Sequence, residues 1–95
     1  LLGLKSVPFD DFPLPRLKDA RVAFGCELYE LHEMGKTRQA VIYGEIKQLY
    51  IDDSITETLP GDRLKVNAAK LDPVARLGAN EYAGLADIIH LKRPD

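Results

Sequence analysis

Two long segments of alternating residues limit the fold of this chain more than any other feature. In the first, Arg21–Leu31, one face carries Val22, Phe24, Cys26 and Leu28. A period of two is typical of a β-strand with one buried face. The second, Arg38–Ile51, is rich in β-branched and aromatic residues, which favour strands. The polar connection His32–Thr37 has hairpin length, so the sequence predicts an antiparallel hairpin with His32 in its loop.

Each predicted strand has a glycine in its interior. Pairing the strands through their connection puts Gly25 and Gly44 roughly opposite each other. Glycine within a strand marks a sharp bend in a barrel, or a close approach by another backbone or a ligand. We favour a coiling point in a curved sheet, with ligand approach as the alternative. Cys26 alternates with apolar residues and is expected to be a small buried hydrophobe.

The flanking segments add strand and turn signals but little helix. Prolines exclude a helix before Leu17, and the apolar residues between them predict an extended arm that lies on a core. A turn is expected at Leu59–Asp62, and one helical turn at Asn67–Leu71, which ends before Pro73. Ala86–Leu91 is short and apolar and predicts a final edge strand. The sequence therefore indicates a mostly β protein.

Composition argues against several classes of function. The chain has 95 residues, which is one domain at most, and its 13 basic and 15 acidic residues are well mixed. Without a basic stripe it lacks the usual signature of a nucleic-acid-binding protein. No apolar run approaches the roughly 20 residues that span a bilayer. The first residues do not have the pattern of a signal peptide.

Cysteine and histidine are too few to indicate a metal site. Cys26 is the single cysteine, and His32 and His90 are far apart in the sequence. A structural zinc site normally needs four such ligands in close pairs, so we expect no metal. A lone cysteine cannot form an internal disulfide, which is consistent with a reducing, cytoplasmic location.

Three stretches of the chain carry a resemblance to a known family. In chain order they are Pro15–Leu17 with Cys26–Leu28, Val41–Ile46 with Tyr50–Asp53, and Leu71–Gly78 with Tyr82 and a strand ending near Pro94. Their order and spacing resemble the carboxy-terminal half of the flavin-reductase-like domain family, and the match covers most of the 95 residues. No single motif is diagnostic, so the resemblance rests on the ordered set.

The resemblance implies an antiparallel split β-barrel of the FMN-binding type. Members of the family form homodimers and hold FMN at the subunit interface. They reduce flavin with NADH or NADPH, or carry electrons on bound FMN. The amino-terminal half of the family domain supplies most contacts to the cofactor, and this sequence matches only the other half. We therefore expect a partial domain over residues 1–95, with an extended arm at 1–19 and barrel strands and a late loop at 20–95.

Three residues match the late motif of the family and are the candidate cofactor-binding residues. Arg76 offers a fork of donors to a phosphate or a flavin oxygen, or else forms an ion pair with Asp72, Glu81 or Asp87. Tyr82 stacks on or hydrogen-bonds to the isoalloxazine ring, or else covers a core. Gly78 is expected to adopt a positive φ. Gln39 stands where several typical reductases have a histidine close to the flavin, which puts nicotinamide oxidation in doubt.

No side chain is expected to act as a nucleophile or general base. Glu45 lies in mid-strand without a catalytic partner, so it is expected to be solvated or paired with a lysine or arginine. Hydride transfer to a flavin needs no protein nucleophile. Two alternatives are a non-catalytic β-barrel module for binding or dimerisation, and the same barrel with a deazaflavin or haem. A haem would take its axial ligand from His32, His90, Cys26, Met34 or a tyrosine.

Overall fold

The computed structural model describes residues 3–94, which form four two-stranded antiparallel sheets and little helix. The strands are β1 (Ser6–Phe9), β2 (Phe12–Leu17), β3 (Val22–Met34), β4 (Gln39–Ile51), β5 (Thr56–Leu59), β6 (Arg63–Val66), β7 (Ala75–Arg76) and β8 (Tyr82–Ala83). Each strand pairs with its neighbour in sequence, β1 with β2 and so on. The helical segments are a 3₁₀ turn at Asp53–Ile55 and α1 (Ala68–Leu71). Among these residues no helix is long and apolar enough to cross a membrane.

The predicted mostly β, antiparallel character is confirmed, and the chain divides into two compact units, Leu1–Asp52 and Asp53–Asp95. Within residues 3–94 no sheet closes into a barrel, because each has only two strands. A two-stranded sheet is marginally stable by itself, so each unit depends on what packs against its hairpins.

The predicted central hairpin is confirmed as β3 and β4, each 13 residues long. Its innermost pair is Met34 with Gln39, so the turn covers only residues 35–38. The prediction that His32 lies in the loop is wrong, because this residue belongs to β3. The β-branched and aromatic residues at the loop-proximal end of β4 extend the ladder further than turn-forming residues alone indicate.

The centre of the turn lies two residues further along the chain than predicted, and this shifts the register of the hairpin. Gly25 pairs with Gln48 and Gly44 pairs with Leu28, so the prediction that the two glycines lie opposite each other is wrong. Gly25 is instead a point of close approach by a side chain. A Cβ atom at this position would lie 2.9 Å from the ring of Phe12.

Two β-bulges keep the apolar side chains of this hairpin on one face. Tyr29 in β3 and Lys47 in β4 have no partner in the ladder, so each strand contains one extra residue. An extra residue reverses the alternation of the side chains beyond it. The insertion at Lys47 shifts the pairing of the two strands by one residue. The insertion at Tyr29, in the opposite strand, shifts it back. The resulting apolar face consists of Phe24, Cys26, Leu28, Leu31, Ile42, Ile46 and Leu49.

The apolar face is open. Its large side chains range from 46% exposed at Leu31 to 67% at Leu28 and Ile42. Cys26 is exposed as well, so the prediction that it is buried is wrong. Its neighbours on the face are apolar, as the sequence indicated, but no described residue covers them. A contiguous apolar surface of this kind usually marks a place where further polypeptide or another molecule binds.

The amino-terminal arm, which is a β1–β2 hairpin rather than one extended segment, packs on the opposite face near Gly25 and Gln48. Phe9 is only 4% exposed, and its ring meets that of Phe12 edge to face at 5.8 Å. The Phe12 ring lies against Gly25. The side-chain amide of Gln48 donates a hydrogen bond of 3.1 Å to the carboxylate of Asp10. The expectation that the arm lies on a core is thus confirmed for the described residues.

The second unit has a small core of its own around Ile55, which is 1% exposed. The predicted turn at Leu59–Asp62 joins β5 to β6, and the predicted helical turn is α1. Asn67 caps α1, because its side-chain oxygen accepts a 2.9 Å hydrogen bond from the backbone N–H of Lys70. The prediction of a strand at Ala86–Leu91 is wrong, since residues 84–94 have no regular secondary structure.

Replacement of Gly25 with alanine is expected to destabilise the full-length protein by roughly 1–3 kcal/mol, because the new methyl group overlaps the Phe12 ring. Urea titration gives the free energy of unfolding. Gly84→Ala is the matched control, because a Cβ atom there meets nothing within 4 Å. In a Phe12→Leu background the penalty of Gly25→Ala should shrink. An equal penalty in both backgrounds would contradict the contact.

Candidate functional site

The β7–β8 hairpin brings two of the three candidate residues together. Arg76 and Tyr82 are directly opposite each other in its ladder, so their side chains leave the same face. The turn between them is closed by two backbone hydrogen bonds of 2.9 Å. The N–H of Leu77 donates to the carbonyl of Glu81, and the N–H of Glu81 donates to the carbonyl of Gly78. The third candidate, Gly78, thus lies in the turn that sets the geometry of the pair.

The predicted positive φ of Gly78 is wrong. The residue with a left-handed conformation in this turn is Ala79, at a φ of 50°. A Cβ atom on Gly78 would lie 3.7 Å from Oε1 of Glu81, which is an ordinary van der Waals contact. Gly78 therefore contributes through its backbone carbonyl, which accepts the hydrogen bond that closes the turn.

Neither Arg76 nor Tyr82 is engaged by another side chain in the part of the chain that the structure describes. Within residues 3–94 Arg76 forms no ion pair, so the alternative of a salt bridge to Asp72, Glu81 or Asp87 is not realised. Tyr82 is 62% exposed and does not cover a core. The hairpin presents a guanidinium with free donors next to a phenol ring. This combination suits a ligand that has both anionic oxygens and a planar ring.

A polar cluster on β3–β4 was missed by the sequence reasoning. Nε2 of His32 lies 3.2 Å from Oε1 of Glu30, and the His32 ring meets that of Tyr43 edge to face at 5.8 Å. Because of the bulge at Tyr29, these three side chains share the face opposite the apolar face. Gln39 is on that face too, two residues from Val41, the ladder partner of His32. The position that lacks the expected histidine thus has an imidazole nearby on the adjacent strand.

Glu45 forms an ion pair with a lysine in its own strand rather than across the sheet. Nζ of Lys47 lies 2.6 Å from Oε1 of Glu45, and this hydrogen bond is the main cause that raises the pKa of Lys47 above its ordinary value. Both side chains are largely exposed, so the pair is a surface contact. In the described part of the chain no group of three His, Cys, Asp or Glu side chains is placed to hold a metal ion.

Glu57 is the carboxylate with the clearest electrostatic environment. The side-chain amide of Asn67 donates a 3.1 Å hydrogen bond to its Oε2, which is the main cause that holds the pKa of Glu57 below its ordinary value of 4.5. Desolvation opposes this shift, while Lys65, with Nζ at 3.6 Å from Oε1, adds to it. These contacts tie β5 to β6 and to the start of α1. The role of Glu57 is therefore structural.

Comparison of the sequence with those of known proteins finds a similar protein but no matching family. No protein-family profile matches it. A protein of Aquifex aeolicus (strain VF5), described as uncharacterized, is 35% identical over 68 residues. That alignment covers 72% of this chain and 32% of the Aquifex protein.

Two crystal structures share the fold over almost the whole chain. Nitrilotriacetate monooxygenase component B from Bacillus cereus matches with a TM-score of 0.77 at 22% identity, over 93% of this chain and 43% of its own. The 2-nitrobenzoate 2-nitroreductase NbaA of Pseudomonas fluorescens matches with a TM-score of 0.79 at 27% identity, over 97% of this chain and 45% of its own. The chain thus spans less than half of each protein, and it has the fold of part of a monooxygenase component and of part of a nitroreductase.

Replacement of Asn67 with aspartate is expected to raise the pKa of Glu57, because the amide donor becomes a second carboxylate while the cap of α1 is kept. NMR titration of the Glu57 carboxyl group measures the change. In the wild type, the stability contributed by Glu57 is present above its unfolded pKa near 4.5 and is lost as the pH falls through the lower folded value. The control is Asn80→Asp, which should leave Glu57 unchanged. An unaltered Glu57 pKa in Asn67→Asp would contradict the assigned cause.

Proposed function

We propose that this chain forms the carboxy-terminal half of an FMN-binding split barrel of the flavin-reductase-like family, and that the whole protein is a flavoprotein oxidoreductase. The observation that carries the proposal is the likeness of fold to a monooxygenase component and a nitroreductase, at TM-scores of 0.77 and 0.79. The ordered motifs from Pro15 to Pro94 support the same class independently. They follow the family in order over most of the chain.

The open apolar face supports a barrel that needs more strands than these residues supply. In a split barrel this face lines the interior, and the remaining strands pack against it. Burial of side chains such as Phe24 and Leu28 stabilises the assembly by about 1.5–3 kcal/mol each. In this proposal residues 1–95 are one partial domain, and two copies of the whole protein form a homodimer with FMN at the subunit interface.

The β7–β8 hairpin fits a role in binding the flavin. Arg76 has free donors for the anionic oxygens of FMN, and Tyr82 next to it offers a ring and a hydroxyl group to the isoalloxazine. Gly78 closes the turn that holds the two side by side. When bound, FMN supplies the hydride and electron transfer, with NADH or NADPH as the co-substrate. The part of this chain is to bind and orient the cofactor and to exclude water from it.

No side chain of this chain takes a covalent or acid–base role in the proposal. Glu45 is held by Lys47, and Cys26 lies among apolar side chains. Gln39 offers an amide, which forms hydrogen bonds but does not titrate. A reductase and an electron carrier are both compatible with this set of residues. They differ in whether the bound flavin accepts a hydride directly from a nicotinamide.

A second candidate function is a non-catalytic binding or dimerisation module. The observation that favours it is again the apolar face, because a face of this kind also serves an interface between subunits. The two candidates differ in the role of Arg76 and Tyr82. Only the flavoprotein proposal gives these residues a ligand.

Titration of the full-length, flavin-free protein with FMN tests the proposal. Binding is expected to quench flavin fluorescence and to shift its absorbance spectrum. Arg76→Gln should weaken binding about tenfold, because a charged hydrogen bond to the cofactor is lost. Tyr82→Leu should weaken it by a smaller factor. Arg38→Gln is the matched control, since this exposed arginine lies in the β3–β4 turn.

Absence of any bound flavin in the full-length protein would overturn the proposal and favour the dimerisation module. Equal FMN affinity in the wild type and in Arg76→Gln would leave the flavoprotein assignment standing but remove Arg76 from the site. Addition of NADH or NADPH to the FMN-loaded protein without oxygen then distinguishes a reductase from an electron carrier. Bleaching of the flavin absorbance identifies a reductase, and an unchanged spectrum identifies an electron carrier with another donor.

A further inference from the structure

A groove lies between the arm hairpin and β3 in the first unit. Its volume is about 340 Å³, and it is lined mainly by apolar side chains, among them Phe9, Phe12, Leu17 and Phe24. Gly25 forms part of its wall without a side chain. Cavities of this size are typical of sites that take small molecules.

Arg16 is the one charged residue that lines this groove. It is half-buried, and its guanidinium carbon lies 3.6 Å from the centroid of the Tyr50 ring. Its Nη1 lies 3.5 Å from the carbonyl oxygens of Leu17 and Lys18, at the outer limit of a hydrogen bond. Among the described residues no carboxylate forms an ion pair with it.

Arg16 is a partly buried residue without an acidic partner among residues 3–94, and a charge drawn even partly out of water carries a cost unless it is paired. The ring of Tyr50 offsets part of that cost through a cation–π contact. It also holds the planar group in one orientation. Most of the five N–H donors of Arg16 have no acceptor among residues 3–94, so the side chain is positioned for an anion that comes from elsewhere.

We propose that this groove binds a small aromatic carboxylate, with the carboxylate on Arg16 and the ring against Phe12. The fork of a guanidinium matches the two oxygens of a carboxylate, and the ring edges of the groove match a flat apolar body. The charges balance one to one, because the groove offers a single positive group. A phosphate carries up to two negative charges and usually binds several donors, which this groove lacks. The site is separate from the Arg76 hairpin and does not rest on flavin binding.

Binding of benzoate to the full-length protein, without added flavin, tests the proposal. A ligand this small is expected to bind in the millimolar range, which NMR shift changes at Phe12, Gly25 and the Arg16 side chain can report. Benzamide has the same ring without the charge and should bind at least several-fold more weakly. Inorganic phosphate should leave these signals in place. Shift changes with phosphate but not with benzoate would overturn the aromatic part of the assignment.

Arg16→Gln should weaken benzoate binding about tenfold, because a charged, bidentate contact is lost. Lys18→Gln is the matched control, since this exposed neighbour lies outside the groove lining and should have no effect. Arg16→Lys keeps the positive charge but loses the paired N–H donors of the guanidinium. Benzoate should therefore bind several-fold more weakly to this variant, whose side chain is otherwise near-native. Failure of benzoate to bind the wild type overturns the proposal, and so does equal affinity in the wild type and both Arg16 variants.

Discussion

The pair of compensating bulges in the β3–β4 hairpin is the constraint on which the rest of this structure depends. Tyr29 and Lys47 each interrupt the ladder, in opposite strands. Without either one, the side-chain alternation would run out of phase with the apolar residues beyond it. With both, one face of a long two-stranded sheet stays apolar from Phe24 to Leu31, and the other receives the arm. The bulges therefore decide which face is available for packing and which carries polar groups.

The two faces of the hairpin differ in what packs on them. On one, the Phe12 ring lies against Gly25 and the Arg16 guanidinium lies over Tyr50, so that an aromatic groove with an unpaired positive charge forms at the edge of the arm. The other face has no cover among the described residues. A two-stranded sheet with an open apolar face is marginal by itself. The likeness of fold to proteins more than twice as long agrees with the proposal that further strands complete it.

Alternation in the sequence was enough to predict the hairpin, and the prolines and turn-forming residues predicted the arm, the turn before β6 and the single helical turn at α1. The register was not predictable from an assumed loop, because a turn centred two residues further along the chain moves every partner. The bulges did leave a signal: the apolar period slips between Leu28 and Leu31 in one strand and between Ile46 and Leu49 in the other. Arg76 and Tyr82 were chosen by resemblance, and their direct pairing emerged only from the β7–β8 register. Ala86–Leu91 has the composition of a strand, but a strand needs a partner for its backbone groups, and no described strand pairs with it.

The central claim is that the apolar face is an interior surface of the complete protein, and Cys26 lies on that face. Alkylation of this thiol by iodoacetamide, followed by mass spectrometry of the peptide that contains it, measures whether the face is covered. In the folded full-length protein the reaction at Cys26 should be at least about tenfold slower than in urea, because covering strands must open before the reagent reaches the thiol. A rate in the folded protein equal to that in urea would show an open face and would contradict the account.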